Sequence, residues 1–151
     1  MTIDIKLIKQ LREQTSAGVA DVREALEEAS GDLKKAEELL RQKGFERAAK
    51  KGGRATGAGL IDAYIHQGRA GAIVEVLCET DFVARTSEFK TLTHELAMQV
   101  ASMNPKDNPD LLKQEYIRDP SKTISDLIKE TIAKLGENIT VGRFSRFELG
   151  K

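Results

Sequence analysis

The spacing of apolar residues changes once along this chain of 151 residues, and that change limits the folds open to it. Residues 1–45 carry apolar side chains three and four positions apart, which is the spacing of one helix face. Residues 60–151 mix such stretches with alternating ones, as in a unit built from both helices and strands. Residues 46–59 contain four glycines, and four of their five charged side chains are basic, which predicts a short helical extension and then a flexible basic linker.

Three short helices are predicted within residues 1–45. Ser16 is a plausible N-cap for the second helix and Asp32 for the third, because these side chains accept hydrogen bonds from free backbone N–H groups. Gly31 and Gly44 are expected to end the second and third helices. The apolar stripes are Leu7, Ile8 and Leu11; Val19, Val22, Leu26 and Ala29; and Leu33, Ala36, Leu39 and Leu40.

Three strands are predicted in the core at 60–151. Residues 61–66 alternate apolar and polar side chains, as in a strand with one wet face. Residues 72–77 follow a glycine-containing turn and return as the second strand of a hairpin. A last strand is expected within 139–149, with Phe144 and Phe147 on opposite faces.

Two main helices are predicted to cover one side of this sheet. The first begins near Ser87 and is stopped by Pro105. The second is capped by Thr123 or Ser121 and ends at Gly136. The stretch between them looks irregular or briefly helical. Helices segregated against a small antiparallel sheet make an α+β fold.

Composition argues against several classes of function. The 24 basic and 24 acidic residues balance, which argues against nucleic acid as a partner, because phosphate neutralisation needs an excess of positive charge. No run of 18 apolar residues is present, so no membrane partner is expected. The single cysteine, Cys78, fits a reducing compartment, and the N-terminus lacks the apolar segment of a signal peptide, so we expect a cytoplasmic protein.

No chemistry-bearing constellation is visible in the sequence. With one cysteine and only His66 and His94, a transition-metal site is not expected. Nucleophile-elbow, zinc-protease and dinucleotide-binding motifs are missing, and the glycines of residues 46–59 lack the Gly-Lys-Ser/Thr ending of a phosphate loop. We therefore expect neither a cofactor nor an enzyme.

The residues Thr80, Asp81, Phe82 and Val83, which we call the Asp-Phe turn, join the second strand to the first main helix. One interpretation is structural: Phe82 packs under the helix and Asp81 is a turn residue. The other is functional, because turns of this kind project side chains away from the scaffold. The spacing of the residues leaves both open.

The segment Thr80-Asp81-Phe82-Val83-Ala84-Arg85, after a strand ending in Glu-Val-Leu-Cys-Glu, closely resembles the signature of the elongation factor Ts family. Two further segments are similar to the family in the expected order. One is the N-terminal pattern that includes Thr15-Ser16-Ala17-Gly18-Val19, and the other is Gly136-Glu137-Asn138-Ile139. The resemblance covers nearly the whole chain and implies a ubiquitin-associated-like three-helix fold for residues 1–45.

This resemblance implies a guanine-nucleotide exchange factor for elongation factor Tu. In the family, the Asp-Phe turn wedges between two helices of the partner's GTPase domain and disturbs Mg²⁺ and phosphate binding. Here the wedge would be Phe82, with Thr80, Asp81 and Val83 beside it. The first domain docks on the same GTPase domain, with Arg12 and Val19 as candidate contacts.

Two departures from the family pattern change the expected architecture. Only 19 residues lie between Met103 and Thr123, where longer relatives insert helices and often a second core copy. Ser16 stands where a glycine is common. Because a three-stranded sheet leaves one face and two edges open, we predict a homodimer in which a second chain replaces the missing copy.

Two other classes of function stay open at this stage. A ubiquitin-associated-type binding module fused to an interaction domain, acting as a chaperone or adaptor, would account for residues 1–45 but not for the Asp-Phe turn. An RNA-binding protein that uses the basic residues of 46–59 conflicts with the zero net charge.

Overall fold

The computed structural model describes residues 2–151 and contains helices and strands in an α+β arrangement. The helices are α1 (Ile5–Thr15), α2 (Val19–Glu28), α3 (Leu33–Lys51), α4 (Asp81–Ala84), α5 (Ser87–Met103), α6 (Asn108–Lys113) and α7 (Ile124–Leu135). The strands are β1 (Ala58–His66), β2 (Ala70–Cys78), β3 (Glu115–Tyr116), β4 (Asp119–Thr123) and β5 (Thr140–Glu148). Within residues 2–151, no helix is both long and apolar enough to cross a membrane.

Helices α1, α2 and α3 enclose a small core of their own, formed by Leu11, Val22, Ala25, Leu26, Ala29, Ala36 and Leu40. The predicted cap at Asp32 is confirmed, since its carboxylate accepts hydrogen bonds from the N–H groups of Lys34 and Lys35. The prediction for Ser16 is wrong. Ser16 ends α1 in the left-handed conformation, with φ at 59°, and Gly18 is the N-cap of α2.

Helix α3 does not end at Gly44, as the sequence predicted, but continues to Lys51. The reason is tertiary packing. A Cβ built on Gly44 would lie only 3.1 Å from the Cβ of Ala133 in α7, so the absent side chain lets the two helices approach closely. Ala48, one turn further along, is buried in the main core of the protein, together with residues such as Val74 and Phe89. The irregular part of the predicted linker is thus confined to residues 52–57, and the division into separately folding units stays a prediction.

The main sheet has the strand order β1-β2-β5, and both pairings are antiparallel. Its inner face packs on α5, whereas α7, the other main helix expected from the sequence, packs mainly on α3 and α5 and not on the sheet itself. The α+β fold class is confirmed. The largest fully buried side chains of this core include Phe89, Leu96, Val74 and Val76.

The alternation predicted in β1 is present, but its isoleucines face outward. Tyr64 packs against the core, whereas Ile61 and Ile65 are exposed. Ile73 of β2 and Phe147 of β5 share their side of the sheet, as the pairings Ala63↔Ile73 and Gly71↔Phe147 require. Phe144 lies on the inner side, so the prediction that Phe144 and Phe147 point in opposite directions is confirmed. We call the exposed side, with Ile61, Ile65, Ile73 and Phe147, the outer sheet face.

The segment between α5 and α7 contains the brief helix that the sequence allowed, α6, and a small hairpin, β3–β4, that the sequence did not predict. Gln99, buried on α5, fixes this hairpin. Its amide donates to the carbonyl of Glu115 at 3.0 Å and accepts from the N–H of Ile117 at 3.1 Å. The Tyr116 hydroxyl donates to the buried Glu95 carboxylate at 2.8 Å, and burial, together with this bond, raises the pKa of Tyr116 above its ordinary value.

The limits of α7 agree with the sequence. Thr123 forms a capping box with Asp126, in which each side chain accepts a hydrogen bond from the other residue's backbone N–H. Gly136 ends the helix in the left-handed conformation, with φ at 77°.

Candidate functional site

The Asp-Phe turn follows the end of the central strand β2: Thr80 is the N-cap of the four-residue helix α4, and Asp81, Phe82 and Val83 are its first three residues. The Thr80 side chain caps α4 by accepting a hydrogen bond from the Val83 N–H at 3.3 Å. The next two side chains, Asp81 and Phe82, are exposed, and Phe82 is 82% exposed, the highest fraction among the large apolar side chains of residues 2–151. The purely structural interpretation, in which Phe82 packs under the helix, is therefore wrong.

The residues that directly follow Phe82 are buried and anchor the turn. Val83 and Ala84 belong to the main core, and Thr86 caps α5 through the N–H of Phe89. Of the four residues predicted for the site, Asp81 and Phe82 have side chains that extend into solvent, whereas Thr80 and Val83 hold the turn in place.

A second loop, residues 136–139, binds the turn from the side. One oxygen of the Glu137 carboxylate accepts hydrogen bonds from the N–H groups of Glu79 and Thr80, at 3.1 and 3.0 Å, and the other accepts from the Thr80 hydroxyl at 2.7 Å. In return, the Glu79 carboxylate accepts from the Asn138 N–H at 2.7 Å. The sequence identified this loop as similar to a family signature but gave no sign of the contact, because the partners lie 57 to 59 positions apart.

Cys78 supports the same turn from inside the core. Its side chain is fully buried, and the thiol donates to the carbonyl of Thr80 at 3.2 Å. Burial raises the pKa of the Cys78 thiol above its ordinary value, and the Glu137 carboxylate adds to this effect. A buried thiol with a raised pKa is a poor nucleophile, so Cys78 has a packing role at this site.

The two candidate contacts in the first unit, Arg12 and Val19, lie on either side of the α1–α2 turn. Both are exposed, and the Arg12 guanidinium donates to the carbonyl of Ala17 at 3.4 Å. They belong to the small N-terminal bundle, whereas Phe82 belongs to the main unit. The structure does not join them to the Asp-Phe turn in one continuous site.

The outer sheet face is a second exposed surface, and it is apolar. A shallow groove on it is lined by residues of β1, the β1–β2 turn, β2 and the end of β5, including Ile65, Ile73, Phe147 and Leu149. Phe147 is 77% exposed. Contiguous apolar surface of this kind marks interaction sites.

Nothing near the Asp-Phe turn has the composition of a reaction centre. Among residues 2–151, no group of three or more His, Cys, Asp or Glu side chains is placed to hold a metal ion. A carboxylate and an aromatic ring on a rigid, exposed turn are instead suited to contact with another protein, since aromatic side chains dominate the energetics of such contacts.

Comparison with known proteins gives the family. A family model described as Elongation factor TS matches residues 79–151. Elongation factor Ts of Thermoanaerobacter sp. strain X514 is 46% identical over 195 aligned positions, covering 99% of this chain and 96% of the relative. The protein of the same name from Coprothermobacter proteolyticus is 46% identical with full coverage of both chains, and that from Thermotoga maritima is 45% identical. The chain belongs to the elongation factor Ts family of translation elongation factors.

The same alignments bear on the length of the chain. They run over 195 to 197 positions, whereas the chain has 151 residues, so the relatives contain a segment that is missing here. The resemblance to the family predicts that the missing segment would lie between Met103 and Thr123. The structure has only α6 and the β3–β4 hairpin there.

Proposed function

We propose that this chain accelerates the release of GDP from elongation factor Tu by inserting Phe82 into an apolar pocket of the partner's GTPase domain. The observation that supports this most strongly is the 82% exposure of Phe82 on a turn whose flanking residues are buried or hydrogen-bonded. A large ring held in solvent costs free energy in the isolated protein. That cost is recovered when the ring enters a pocket.

The insertion would act on nucleotide through the partner's own ligands. Elongation factor Tu holds GDP partly through Mg²⁺, and the Asp-Phe turn would wedge between two helices of its GTPase domain. The shift disturbs the Mg²⁺ ligands and the phosphate loop, so GDP leaves faster. Asp81, exposed next to the ring, is suited to accept hydrogen bonds from backbone N–H groups that the shift uncovers.

Thermodynamic coupling makes this a binding mechanism and not a chemical one. If the factor binds the nucleotide-free state more tightly than the GDP-bound state, GDP must weaken the factor by the same ratio as the factor weakens GDP. The chain itself then needs neither a nucleotide site nor a catalytic group. Arg12 and Val19 would dock the N-terminal bundle on the same GTPase domain, which raises affinity without contributing to the wedge.

We further propose that the active form is a homodimer formed through the outer sheet face. Strands β1 and β5 leave both edges of a three-stranded sheet unpaired, and the face they share with β2 carries exposed isoleucines and Phe147. A two-fold pairing of two such faces covers the apolar side chains of both chains at once.

The direct test is the release of labelled GDP from elongation factor Tu, measured with and without this protein under excess unlabelled nucleotide. We expect the release rate to rise with protein concentration and to reach a plateau. An unchanged rate at concentrations at which the two proteins form a complex would contradict the proposal.

A further inference from the structure

We infer that Glu137 is a positioning residue for nucleotide exchange, because its carboxylate holds the Asp-Phe turn in the shape that projects Phe82. This inference rests on the proposed function, and it assigns to the loop at residues 136–139 a role in the activity of a distant part of the chain. Glu137 acts through the turn and is not expected to touch the partner.

Three hydrogen bonds from the start of the turn converge on this one carboxylate. Glu137 accepts from two successive backbone N–H groups, those of Glu79 and Thr80, and from the Thr80 hydroxyl at 2.7 Å. The same hydroxyl oxygen accepts from the Val83 N–H. Bonds to an ionised acceptor are stronger than bonds between neutral groups, so the carboxylate fixes the backbone on the N-terminal side of Phe82 and the cap of α4 together.

The contact is reciprocal, which keeps the two loops in a single relative position. The Glu79 carboxylate accepts from the Asn138 N–H at 2.7 Å. The Asn138 side chain is buried and donates to the carbonyl of Arg54 at 2.8 Å, just after the end of α3. Asn138 therefore links the turn that carries Phe82 to the chain just after α3 as well as to the loop before β5.

Order in the turn matters because a ring that enters a pocket must arrive in one orientation. A turn that is loose in the free protein has to be ordered during insertion, and this ordering opposes the step that displaces nucleotide. Freeing the backbone of Glu79 and Thr80 completely would correspond to a roughly 30- to 1000-fold loss in the rate of that step. The buried neighbours Val83 and Ala84 still restrict the chain, so we expect a loss of roughly 10- to 100-fold. The cost of ordering the turn does not affect initial binding through other surfaces.

Two substitutions at the same position separate geometry from charge. Glu137→Ala removes all three acceptor contacts. Glu137→Gln keeps an oxygen for the N–H groups of Glu79 and Thr80, while its amide can donate to the second lone pair of the Thr80 hydroxyl. Thr123→Ala is the control, since it removes a comparable helix-capping contact on α7, away from the turn.

The exchange measurement distinguishes a change in the maximal rate of GDP release from a change in affinity for the partner. We expect Glu137→Ala to lower the maximal rate of GDP release roughly 10- to 100-fold, with little change in the concentration that gives half of that rate. Glu137→Gln should restore most of the rate, and Thr123→Ala should leave it at the parental value. A parental maximal rate for Glu137→Ala, or an equal loss in Thr123→Ala, would overturn the inference.

A second readout needs no partner. Backbone ¹⁵N order parameters of residues 79–83 should be near 0.85 in the parent and in Glu137→Gln, and about 0.6 or lower in Glu137→Ala. Unchanged order parameters in Glu137→Ala would refute the positioning role even if exchange is slow. If Phe82→Ala stimulates release as well as the parent does, the proposed function fails instead, and the order parameters alone then decide whether Glu137 orders the turn.

Discussion

Replacing Ile73 by lysine should dissociate the proposed homodimer. Ile73 lies on the central strand β2, opposite Ala63 of β1 and Ser145 of β5, so it occupies the middle of the outer sheet face. Its side chain is 48% exposed in the single chain. In a two-fold pairing of these faces, the substitution places two ammonium groups near the centre of the interface.

The magnitude follows from burial and charge. Full burial of an isoleucine side chain is worth about 1.5–3 kcal/mol, so covering the exposed half of Ile73 contributes about 1 kcal/mol per chain. Two chains lose about 2 kcal/mol in all on this basis. Desolvation of two charges adds several kcal/mol more, reduced where a lysine stem reaches the rim. A total of about 4 kcal/mol or more corresponds to a dimer at least roughly 1000-fold weaker.

Sedimentation equilibrium at micromolar concentration measures this change directly. Ile5→Lys is the matched control, because it makes the same substitution at a 68% exposed isoleucine on α1, outside the sheet. We expect the parent and Ile5→Lys to be dimers and Ile73→Lys to be a monomer with an unchanged circular dichroism spectrum. A monomeric parent, or a dimer of undiminished affinity for Ile73→Lys, would refute the reasoning.

Three further predictions concern the N-terminal bundle. Ser16→Gly should raise its free energy of unfolding in urea by about 0.5–1 kcal/mol, because glycine adopts the left-handed conformation at φ 59° without the penalty of a side chain; a loss of stability would contradict this. Asp21→Asn should lower that free energy by about 0.5 kcal/mol at neutral pH, since it breaks a solvent-screened ion pair with Arg47. The Arg47 hydrogen bond lowers the pKa of Asp21 in the folded state. The stability that the ion pair contributes is therefore complete above the unfolded pKa of about 3.9 and is lost as pH falls through the lower folded pKa. A stability difference between Asp21→Asn and the parent that persists in acid would contradict this prediction. Arg12→Ala combined with Val19→Ala should raise the concentration needed for half-maximal GDP release while leaving the maximal rate unchanged, and an unaltered titration curve would exclude docking through this pair.

Several features predicted correctly from the sequence are set by local hydrogen bonds. The caps at Asp32 and Thr123 and the stop at Gly136 each depend on atoms within a few residues of the helix end. The continuation of α3 past Gly44 depends instead on α7, whose Ala133 is far away in the sequence. Ser16 was misassigned because a serine can cap a helix start as well as occupy the end of the preceding one.

The sheet shows what periodicity alone cannot decide. Alternation in β1 correctly indicated a strand. It did not indicate which face is buried: Tyr64 packs on the core, whereas the more apolar face, with Ile61 and Ile65, is exposed. The β3–β4 hairpin was not predicted because its strands are short and are stabilised by the side chain of Gln99, which lies on α5.

The candidate site was located by resemblance, and its geometry came only from the fold. The residues of the Asp-Phe turn were identified in advance, yet the spacing of those residues did not distinguish an exposed Phe82 from a buried one. The Glu137 contact joins positions 57 residues apart and leaves no local pattern in the sequence.

The central claim is that Phe82 itself drives the release of GDP. The maximal rate of labelled GDP release from elongation factor Tu should therefore be compared between the parent, Phe82→Ala and Met103→Ala, which removes another exposed apolar side chain of the same unit. An aromatic anchor at an interface is typically worth about 2–4 kcal/mol, so Phe82→Ala should slow release roughly 30- to 1000-fold relative to the parent, with an unchanged melting temperature and with Met103→Ala at the parental rate. Release by Phe82→Ala at the parental rate would contradict the account.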